Sequence, residues 1–435
     1  MRTVNEQRND GAVSFCEPSA NATFETGKHK ADAASEATHL PAHSVRVAVL
    51  TGGGDKPYAL GLAACLISQD VAFDFIGSDE LDSPELHQNP LVRFLNLRSD
   101  MRPDTNGARK VLRVLMYYWR LLLYAATAKP KVFHILWNNK LVLLDRTLLM
   151  LYYRFLGKRI AFTAHNVNAG RRDGNDSVFN RLTLRIQYHL LDHVFVHTEQ
   201  MKRELRTDFG VLDTKVSVIP FGINSTVPNT ALTSVEARRR LALSSRQKVV
   251  LFFGNIAPYK GLEYLIEAMA LLVPNEPDYR LIIAGRPKNC APYWEAIRRR
   301  ISCPPLRPNV IERVEYVPDG DTEIYFKAAD VLVLPYTHIF QSGVLFLGYN
   351  FGLPVIASDV GSLKEDIVEG ETGFVCKPRD PVDLAKSIET YFRSNLYRQL
   401  KTRRQEIQDL ANEKYSWRRV GEITQAVYRS LAARR

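Results

Sequence analysis

Short apolar runs alternate with longer, helix-length segments along the first half of the chain. The runs are rich in Val, Ile and Phe, and they span Val45–Leu50, Val71–Gly77, Lys131–Asn138, Arg159–Val167, His193–Glu199 and Val216–Gly222. Continuous apolar runs of this length are typical of strands that are buried on both faces of a sheet. Alternation of such strands with helices predicts a parallel, doubly wound α/β sheet covered by helices on both sides.

The same alternation starts again in the second half of the chain. Its predicted strands are Lys248–Gly254, Tyr279–Gly285, Val310–Val317, Val331–Pro335, Pro354–Ser358 and Gly373–Pro378, and charged helices follow them. Residues 225–247 are first rich in Asn, Thr, Ser and Pro and then charged, which favours a linker. We therefore predict two Rossmann-like domains, at residues 44–224 and 248–410, that face a central cleft.

Composition agrees with two globular domains and indicates which classes of binding partner to expect. The 435 residues are 46% hydrophobic and 24% charged, which suits two ordinary globular domains. A net charge of +11 indicates attraction to an anionic partner, such as a nucleotide sugar or an anionic membrane surface. Nucleic acid is disfavoured because no recognition motif is present. Residues 1–43 are polar and rich in Ala, Ser and Thr, so we expect a disordered segment there.

Cysteine usage and hydropathy indicate a cytoplasmic protein. The cysteines are odd in number and lack CxxC spacing, which argues against a disulfide framework and a zinc site. The two most apolar segments, Val111–Ala126 and Leu141–Leu156, are interrupted by charges and are not expected to span a membrane. We interpret them as core-facing helices. Because they are rich in Leu, Tyr and Arg, helices resting on the inner face of the cytoplasmic membrane are the alternative.

Two strand-to-helix turns in the second half are suited to bind phosphate. The turn Phe252–Gly261 carries Lys260, and the stretch Pro335–Val360 places Gly343 just before a helix-length segment. A helix N-terminus presents unpaired backbone N–H groups and a partial positive charge. Two such turns within one α/β domain indicate a nucleotide-diphosphate ligand.

Several motifs of the second half occur in the order and spacing of a known family. They read GNIAPYKGLEYLIEA, LIIAGR, YFKAADVLVLPY, GLPVIASDVGSLKE and EGETGFVCKP. With them the chain resembles the retaining GT-B glycosyltransferases of family 4, which include bacterial polysaccharide and lipopolysaccharide transferases. The resemblance implies transfer of a hexose-type sugar from a nucleotide-diphosphate sugar to a glycan or lipid-linked hydroxyl. It also implies an acceptor-side first domain, a donor-side second domain and a C-terminal helix, residues 411–435, that packs back towards the first.

By this resemblance, Lys260 contacts the donor diphosphate and stabilises the leaving nucleotide, in the turn that begins at Gly254. A fixed cation in a dry cleft is suited to charge that develops on a departing phosphate. The arginine that the family places five residues earlier is replaced by Asn255. Arg286 and Lys288 are candidates for the missing positive charge, and the alternative is that both are surface cations on a loop.

The loop before Gly343 departs from the family pattern. Family members carry two glutamates, eight positions apart, where this chain has Ile339 and Leu347. Gln341 and Ser342 lie beside the first of these positions and are predicted to bind sugar hydroxyls instead. The backbone N–H groups of Gly343–Val344 are predicted to hold phosphate.

Glu365 matches an acidic family residue near the donor, and the alternative is a glutamate that stabilises a helix N-terminus. No metal site and no cofactor are implied, because no DxD-like pair of carboxylates follows a strand. The lysine and the helix dipole would take the role that a cation has in metal-dependent transferases.

Acceptor-side candidates follow the strands of the first half. Gly53, Gly54 and Asp55 come directly after the first strand, and the glycines allow close approach of a ligand to the backbone. His165 lies at the end of a later predicted strand and is the catalytic candidate on this side, by resemblance to a family histidine near the sugar. His197 lies at the end of the next predicted strand. A tight glycine turn and structurally buried histidines are the alternatives.

Three other functions stay open from the sequence. The apolar Ile339 and Leu347 are compatible with a non-catalytic paralogue that binds a nucleotide sugar or a glycan. An epimerase or a phosphorylase could use the same fold, since fold alone does not set the function. A dinucleotide dehydrogenase is disfavoured because the GxGxxG fingerprint is missing.

Overall fold

The computed structural model describes residues 45–99, 107–139, 141–172, 176–223, 227–288 and 290–434. The segment 1–43, which the sequence predicts to be disordered, lies outside the described residues. So does the first part of the predicted linker, at residues 225–226.

The first half of the chain forms a seven-stranded parallel sheet in the order β3-β2-β1-β4-β5-β6-β7. Its strands are β1 (Val47–Leu50), β2 (Phe73–Gly77), β3 (Val92–Asn96), β4 (Val132–Ile135), β5 (Arg159–Thr163), β6 (His193–Val196) and β7 (Val216–Val218). The helices are α1 (Lys56–Ser68), α2 (Pro84–Gln88), α3 (Gly107–Thr127), α4 (Leu149–Phe155), α5 (Ala169–Arg172), α6 (Val178–Leu190) and α7 (Glu199–Phe209). The sequence analysis missed β3, an edge strand that is less buried than its neighbours.

The second half forms a six-stranded parallel sheet in the order β10-β9-β8-β11-β12-β13. Its strands are β8 (Lys248–Phe253), β9 (Tyr279–Ala284), β10 (Val310–Arg313), β11 (Val331–Leu334), β12 (Val355–Ser358) and β13 (Gly373–Cys376). The helices are α8 (Ser234–Arg240), α9 (Leu262–Leu272), α10 (Ala291–Ile301), α11 (Asp319–Ala328), α12 (Gly343–Asn350), α13 (Pro381–Arg393), α14 (Asn395–Arg398), α15 (Leu400–Lys414) and α16 (Trp417–Ala433). Both sheets have the doubly wound strand order, which confirms the predicted fold class of two Rossmann-like halves.

Side chains that alternate along β1 show how the first sheet is covered. Ala48 and Leu50 face a core formed with α3, α4 and α6, whereas Val47 and Val49 face a core formed with α1 and α16. Because successive residues of a strand point to opposite faces, a four-residue apolar strand fits only a sheet that is buried on both sides.

The last helix returns to the first sheet. After α15 has packed on α12, α16 packs on α1 and β4. Tyr428 Oη lies 2.5 Å from Nδ1 of the buried His134, whose Nε2 lies 2.7 Å from Thr163 Oγ1. Trp417 Nε1 donates a hydrogen bond to Ile223 O at 2.8 Å. The C-terminal helix therefore contacts the first sheet at its centre and near its carboxyl edge.

Neither of the two most apolar segments of the sequence could cross a bilayer. Within the described ranges, no helix combines the required length and apolar character. Helix α3 and the segment from Leu141 to Phe155 each bury one face in the core and expose apolar side chains on another.

We predict that Tyr428→Phe lowers the free energy of unfolding by roughly 1–3 kcal/mol, because it leaves the buried His134 ring nitrogen without its partner. Equilibrium denaturation by urea measures the change. Tyr316→Phe, at an exposed tyrosine, is the control. Equal stability of the Tyr428 variant and the wild type would show that the contact contributes nothing.

Candidate active site between the two sheets

A cavity of about 400 Å³ lies between the carboxyl ends of the two sheets. Residues from both halves and from α16 line it: Asp55, Pro57, Tyr58, Phe221 and Gly222 from the first half, Tyr259, Lys260, Tyr336, Ile339, Gln341, Ser342, Gly343, Val344 and Leu347 from the second, and Trp417. We call it the central cavity. Of the predicted site residues, it brings together Asp55, Lys260 and the stretch Gln341–Val344.

Lys260 is buried in the wall of this cavity. It ends a short 3-10 turn after β8, is 7% exposed, and its Nζ lies 5.3 Å from the centre of the Tyr336 ring. Within the described part of the chain, no carboxylate pairs with its ammonium group. Burial accordingly lowers the pKa of Lys260 from its ordinary value. An unpaired buried cation is unfavourable, and an anionic ligand in the cavity would compensate it.

Glycine is required directly after this lysine. Gly261 has φ of +62°, and a Cβ there would lie 2.0 Å from the carbonyl oxygen of Pro335. The close approach fixes the turn of Lys260 against the end of β11, next to the loop that leads to α12.

The N-terminus of α12 opens into the same cavity. Ser342 is its N-cap residue, but its side chain makes no capping hydrogen bond and lies 3.5 Å from Tyr336 Oη. The first turn therefore leaves the backbone N–H groups of Gly343 and Val344 available to a ligand. The helix N-terminus and Lys260 therefore line the same cavity, and that they hold a phosphate stays a prediction.

Gln341 is held by a carboxylate that the sequence analysis missed. Its Nε2 donates to Asp366 Oδ2 at 3.3 Å, and Tyr415 Oη donates to Asp366 Oδ1 at 2.8 Å. Burial raises the pKa of Asp366 to about 6. The Gln341 Oε1 atom is buried without a hydrogen-bond partner, so it can accept a bond from a ligand hydroxyl.

The remaining donor-side candidates lie away from the cavity lining. Glu365 is exposed, and the neighbouring Asp366 is the acidic side chain that turns inward. Asn255 is exposed, and Arg286 lies over the Tyr316 ring at 5.5 Å. Gly254 does approach the site, since a Cβ there would be 3.1 Å from Lys260 Nζ.

The glycine loop after β1 packs against protein side chains. A Cβ on Gly54 would lie 1.9 Å from the Trp137 ring, and a Cβ on Gly53 would lie 2.4 Å from Arg98 Nη2. Packing therefore suffices to explain both glycines. Asp55, at the cavity, accepts a hydrogen bond from the Tyr58 N–H at 3.1 Å, and desolvation raises its pKa.

His165 lies one layer behind the cavity. Its ring stacks on Trp137 at 4.2 Å and meets the edge of Tyr58, which does line the cavity. His197 Nδ1 lies 3.3 Å from Ile219 O, a carbonyl that can only accept, so this nitrogen carries the proton. His197 Nε2 then accepts from His165 Nδ1 at 3.0 Å. The remaining His165 Nε2 is an unprotonated acceptor, buried and without a partner.

Trp417 and Phe221 are cavity residues that sequence reasoning did not identify. Trp417 contacts the edge of Tyr58, and Phe221 stacks on Phe346 of α12 at 5.4 Å. Both come from segments with no motif. Only the position of Phe221 at the end of a predicted strand could have indicated its role.

Comparisons with known proteins agree on the family of this chain. The family described as "Glycosyltransferase Family 4" matches residues 37–227, and "Glycosyl transferases group 1" matches residues 247–394. The two matched segments together take up well over half of the chain. The chain belongs to the family 4 glycosyltransferases.

Relatives and solved structures extend the comparison. A D-inositol 3-phosphate glycosyltransferase of Corynebacterium glutamicum is 27% identical over 241 residues, 52% of this chain and 57% of the relative. The chain thus spans little more than half the length of that protein. Sucrose-phosphate synthase from Thermosynechococcus elongatus has a TM-score of 0.71 at 18% identity, over 89% of this chain and 99% of that one. HepE from Anabaena, solved with UDP and glucose, has a TM-score of 0.68 at 16% identity, covering 89% and 100%. At these identities the two structures show that this family member has their fold.

Because His197 is buried, we predict that the free energy of unfolding falls as the pH is lowered. Burial lowers the pKa of His197 to about 4, whereas an unfolded histidine titrates near about 6.5. Between these values the unfolded chain binds a proton that the folded protein does not. This histidine therefore lowers the free energy of unfolding as the pH falls, by up to about 1.4 kcal/mol per pH unit.

We expect His197→Gln to lose this dependence, because an amide takes up no proton. Urea unfolding at about pH 7.5 and about pH 5.5 compares the variant with the wild type. The destabilisation that the variant shows at the higher pH should shrink at the lower pH. His189→Gln, at an exposed histidine of α6, is the matched control. A difference that stays constant with pH would contradict a neutral buried His197.

Proposed function

We propose that this protein is a glycosyltransferase that moves a hexose-type sugar from a nucleotide-diphosphate sugar to a hydroxyl acceptor, with retention of configuration. The observation that carries the proposal is the buried ammonium group of Lys260 in the central cavity, which pairs with no carboxylate of the described residues. It lies in the same cavity as the N-terminus of α12, so both can face the diphosphate of a donor.

The donor would be bound mainly through its phosphates. As the bond to the sugar breaks, negative charge builds up on the leaving diphosphate, and Lys260 with the N–H groups of Gly343 and Val344 would stabilise it. The Gln341 Oε1 would accept a hydrogen bond from a sugar hydroxyl. We propose that these groups suffice without a metal ion or another cofactor. HepE was solved with UDP and glucose, which makes a uridine nucleotide the first donor to test.

The acceptor would enter from the first-half side of the cavity. Asp55 lines that side, and its raised pKa brings its carboxyl closer to the range of a general base. His165 can act only as a neutral hydrogen-bond acceptor, because burial holds its pKa well below the ordinary value. Movement of the Tyr58 ring would be needed for His165 to reach a substrate.

We propose a glycan or a lipid-linked molecule as the acceptor class, and a cytoplasmic protein that works at the inner face of the membrane. The net charge of +11 and the apolar surface of α3 support this placement. Bacterial polysaccharide or lipopolysaccharide synthesis would be the corresponding process.

Lys260→Met tests the donor site. In a thermal-shift screen with UDP, GDP and ADP, we expect one nucleotide to stabilise the wild type and to lose this effect in the variant. The ligand-free variant should melt at the same temperature or higher, because an unpaired buried cation has been replaced by an apolar side chain. Transfer or hydrolysis of the matching sugar nucleotide should fall roughly 100- to 1000-fold.

Lys288→Met is the matched control, since Lys288 is exposed on the loop after β9. It should keep both nucleotide binding and turnover. Full nucleotide stabilisation of the Lys260 variant would contradict the donor site. Nucleotide binding by the wild type without turnover of any sugar nucleotide would instead favour the non-catalytic paralogue. The apolar side chains of Ile339 and Leu347 in the cavity wall are compatible with that alternative.

A further inference from the structure

Asp366 is a buried carboxylate that contacts the wall of the central cavity through Gln341. It is 7% exposed, and no cation of the described residues forms an ion pair with it. The ammonium group of Lys414 donates instead to the backbone carbonyl of Glu365, at 2.9 Å. A buried carboxylate without a cation is unfavourable for folding. Packing alone therefore does not explain an aspartate at this position.

Two helices hold Asp366 in place. Tyr415, at the end of α15, donates its hydroxyl to Asp366 Oδ1 at 2.8 Å. Tyr349 of α12 donates its hydroxyl to the backbone carbonyl of Asp366, also at 2.8 Å. Both tyrosines are buried. The second carboxylate oxygen, Oδ2, thus accepts from Gln341 Nε2 at 3.3 Å from a fixed position.

The backbone before α12 is fixed as well, by residues 361–366. Ser362 donates two hydrogen bonds to the carbonyl oxygen of Phe340, from its N–H at 2.9 Å and from its Oγ at 2.8 Å. Gly361 has a φ of +59°, and a Cβ there would lie 1.9 Å from the carbonyl oxygen of Ile339. Gln341 is therefore presented from a rigid loop, and the turn of its side-chain amide is the freedom that remains.

The amide of Gln341 has two ends with opposite properties, since its nitrogen only donates and its oxygen only accepts. Burial raises the pKa of Asp366 to about 6, so the carboxylate is ionised at neutral pH. An ionised carboxylate only accepts, which forces the amide to turn its nitrogen towards Asp366. The opposite orientation would place oxygen against oxygen. The amide oxygen, Oε1, is then the buried atom that is left without a partner.

We propose that Asp366 is a positioning residue, which holds the Gln341 amide with its oxygen free for a hydroxyl of the donor sugar. Asp366 itself does not line the cavity and would not touch the substrate. The inference rests on the proposed function, in which the sugar of a nucleotide-diphosphate sugar occupies the cavity. It adds that the site requires a hydrogen-bond donor on the sugar, and that a residue behind the cavity wall sets this requirement.

The first variant is D366N, which keeps the size of the side chain. Among the described residues, the buried Tyr415 hydroxyl donates to Asp366 alone, so the amide oxygen of the variant stays with that hydroxyl. The introduced N–H group then faces Gln341 and donates to its Oε1. Gln341 is thereby turned round and offers its own nitrogen to the ligand.

The probes are UDP, GDP and ADP and the conjugates UDP-glucose, UDP-galactose, GDP-mannose and ADP-glucose. They are titrated calorimetrically into the full chain at about pH 7.5, where an aspartate with this pKa is ionised. D366N should bind the diphosphate like the wild type, because Lys260 and the N-terminus of α12 are unchanged. Circular dichroism should show the same fold for both proteins.

Deoxyfluoro forms of the conjugate that binds best give the direct readout, with each sugar hydroxyl replaced in turn by fluorine. Fluorine cannot donate a hydrogen bond, so at one position the affinity of the wild type should fall at least about tenfold. In D366N the same replacement should lower the affinity less than about threefold, because Gln341 now offers a donor. If Asp366 only tied the loop to α12 and α15, D366N would weaken all the conjugates together and leave this ratio unchanged.

The double variant Q341E/D366N restores the acceptor at the net charge of the wild type. One oxygen of the introduced carboxylate accepts from the amide at position 366, and the other is left for the ligand. The fluorine replacement should again lower the affinity at least about tenfold. The control is D409N, because Asp409 also accepts from a glutamine amide, Gln405 Nε2 at 2.9 Å, but lies exposed on α15. It should match the wild type in every titration.

The outcomes separate this inference from the proposed function. Equal effects of fluorine on the wild type and D366N at every position would overturn the role of Asp366 and leave the donor site in place. So would a wild type that binds a diphosphate but none of the sugar conjugates. Loss of diphosphate binding by D366N, or no recovery in Q341E/D366N, would show that Asp366 does not act through Gln341. A wild type that binds none of the nucleotides would refute the proposed function, and this inference with it.

Discussion

The return of α16 to the first sheet is the contact on which the geometry of the cleft depends. Trp417 at its start forms part of the cavity wall, and Tyr428 near its end reaches His134 in the middle of the first sheet. The chain leaves the second sheet only through α15, so α16 ties the last segment of one half to the other. A cavity with walls from both sheets keeps its shape only while this helix stays docked.

The central cavity contains polar and charged groups that lack a hydrogen-bond or ion-pair partner among the described residues. Among the residues that the structure describes, the buried Lys260 has no counter-ion, the buried Gln341 Oε1 has no donor, and the first N–H groups of α12 have no side-chain cap. Each of these lowers the stability of the ligand-free protein. They have one feature in common, since an anion with attached hydroxyl groups would satisfy all of them. We therefore propose that ligand binding, and not folding, accounts for this arrangement.

Much of this could be predicted from the sequence, because strands buried on both faces and glycine-bearing turns leave local signals. The positions of Lys260 and Gly343 followed from such turns. Long-range packing leaves no local signal, so the placement of Trp417 in the cavity was missed. Glu365 and Asp366 are adjacent in a 3-10 turn, and only the structure shows that Asp366 is the acid that points inward. Nor could hydropathy show which face of α3 is covered, since both are apolar.

The cation of the central cavity and the arginines of α3 differ in burial. Lys260 is screened from water, so its attraction for a phosphate is strong and little affected by salt. Arg109, Arg113 and Arg120 lie on α3 at the surface, where salt weakens an interaction with anions beyond about 10 Å. The buried lysine is therefore suited to tight contact with a single diphosphate, whereas the attraction of the arginines for anions is weaker and depends on salt.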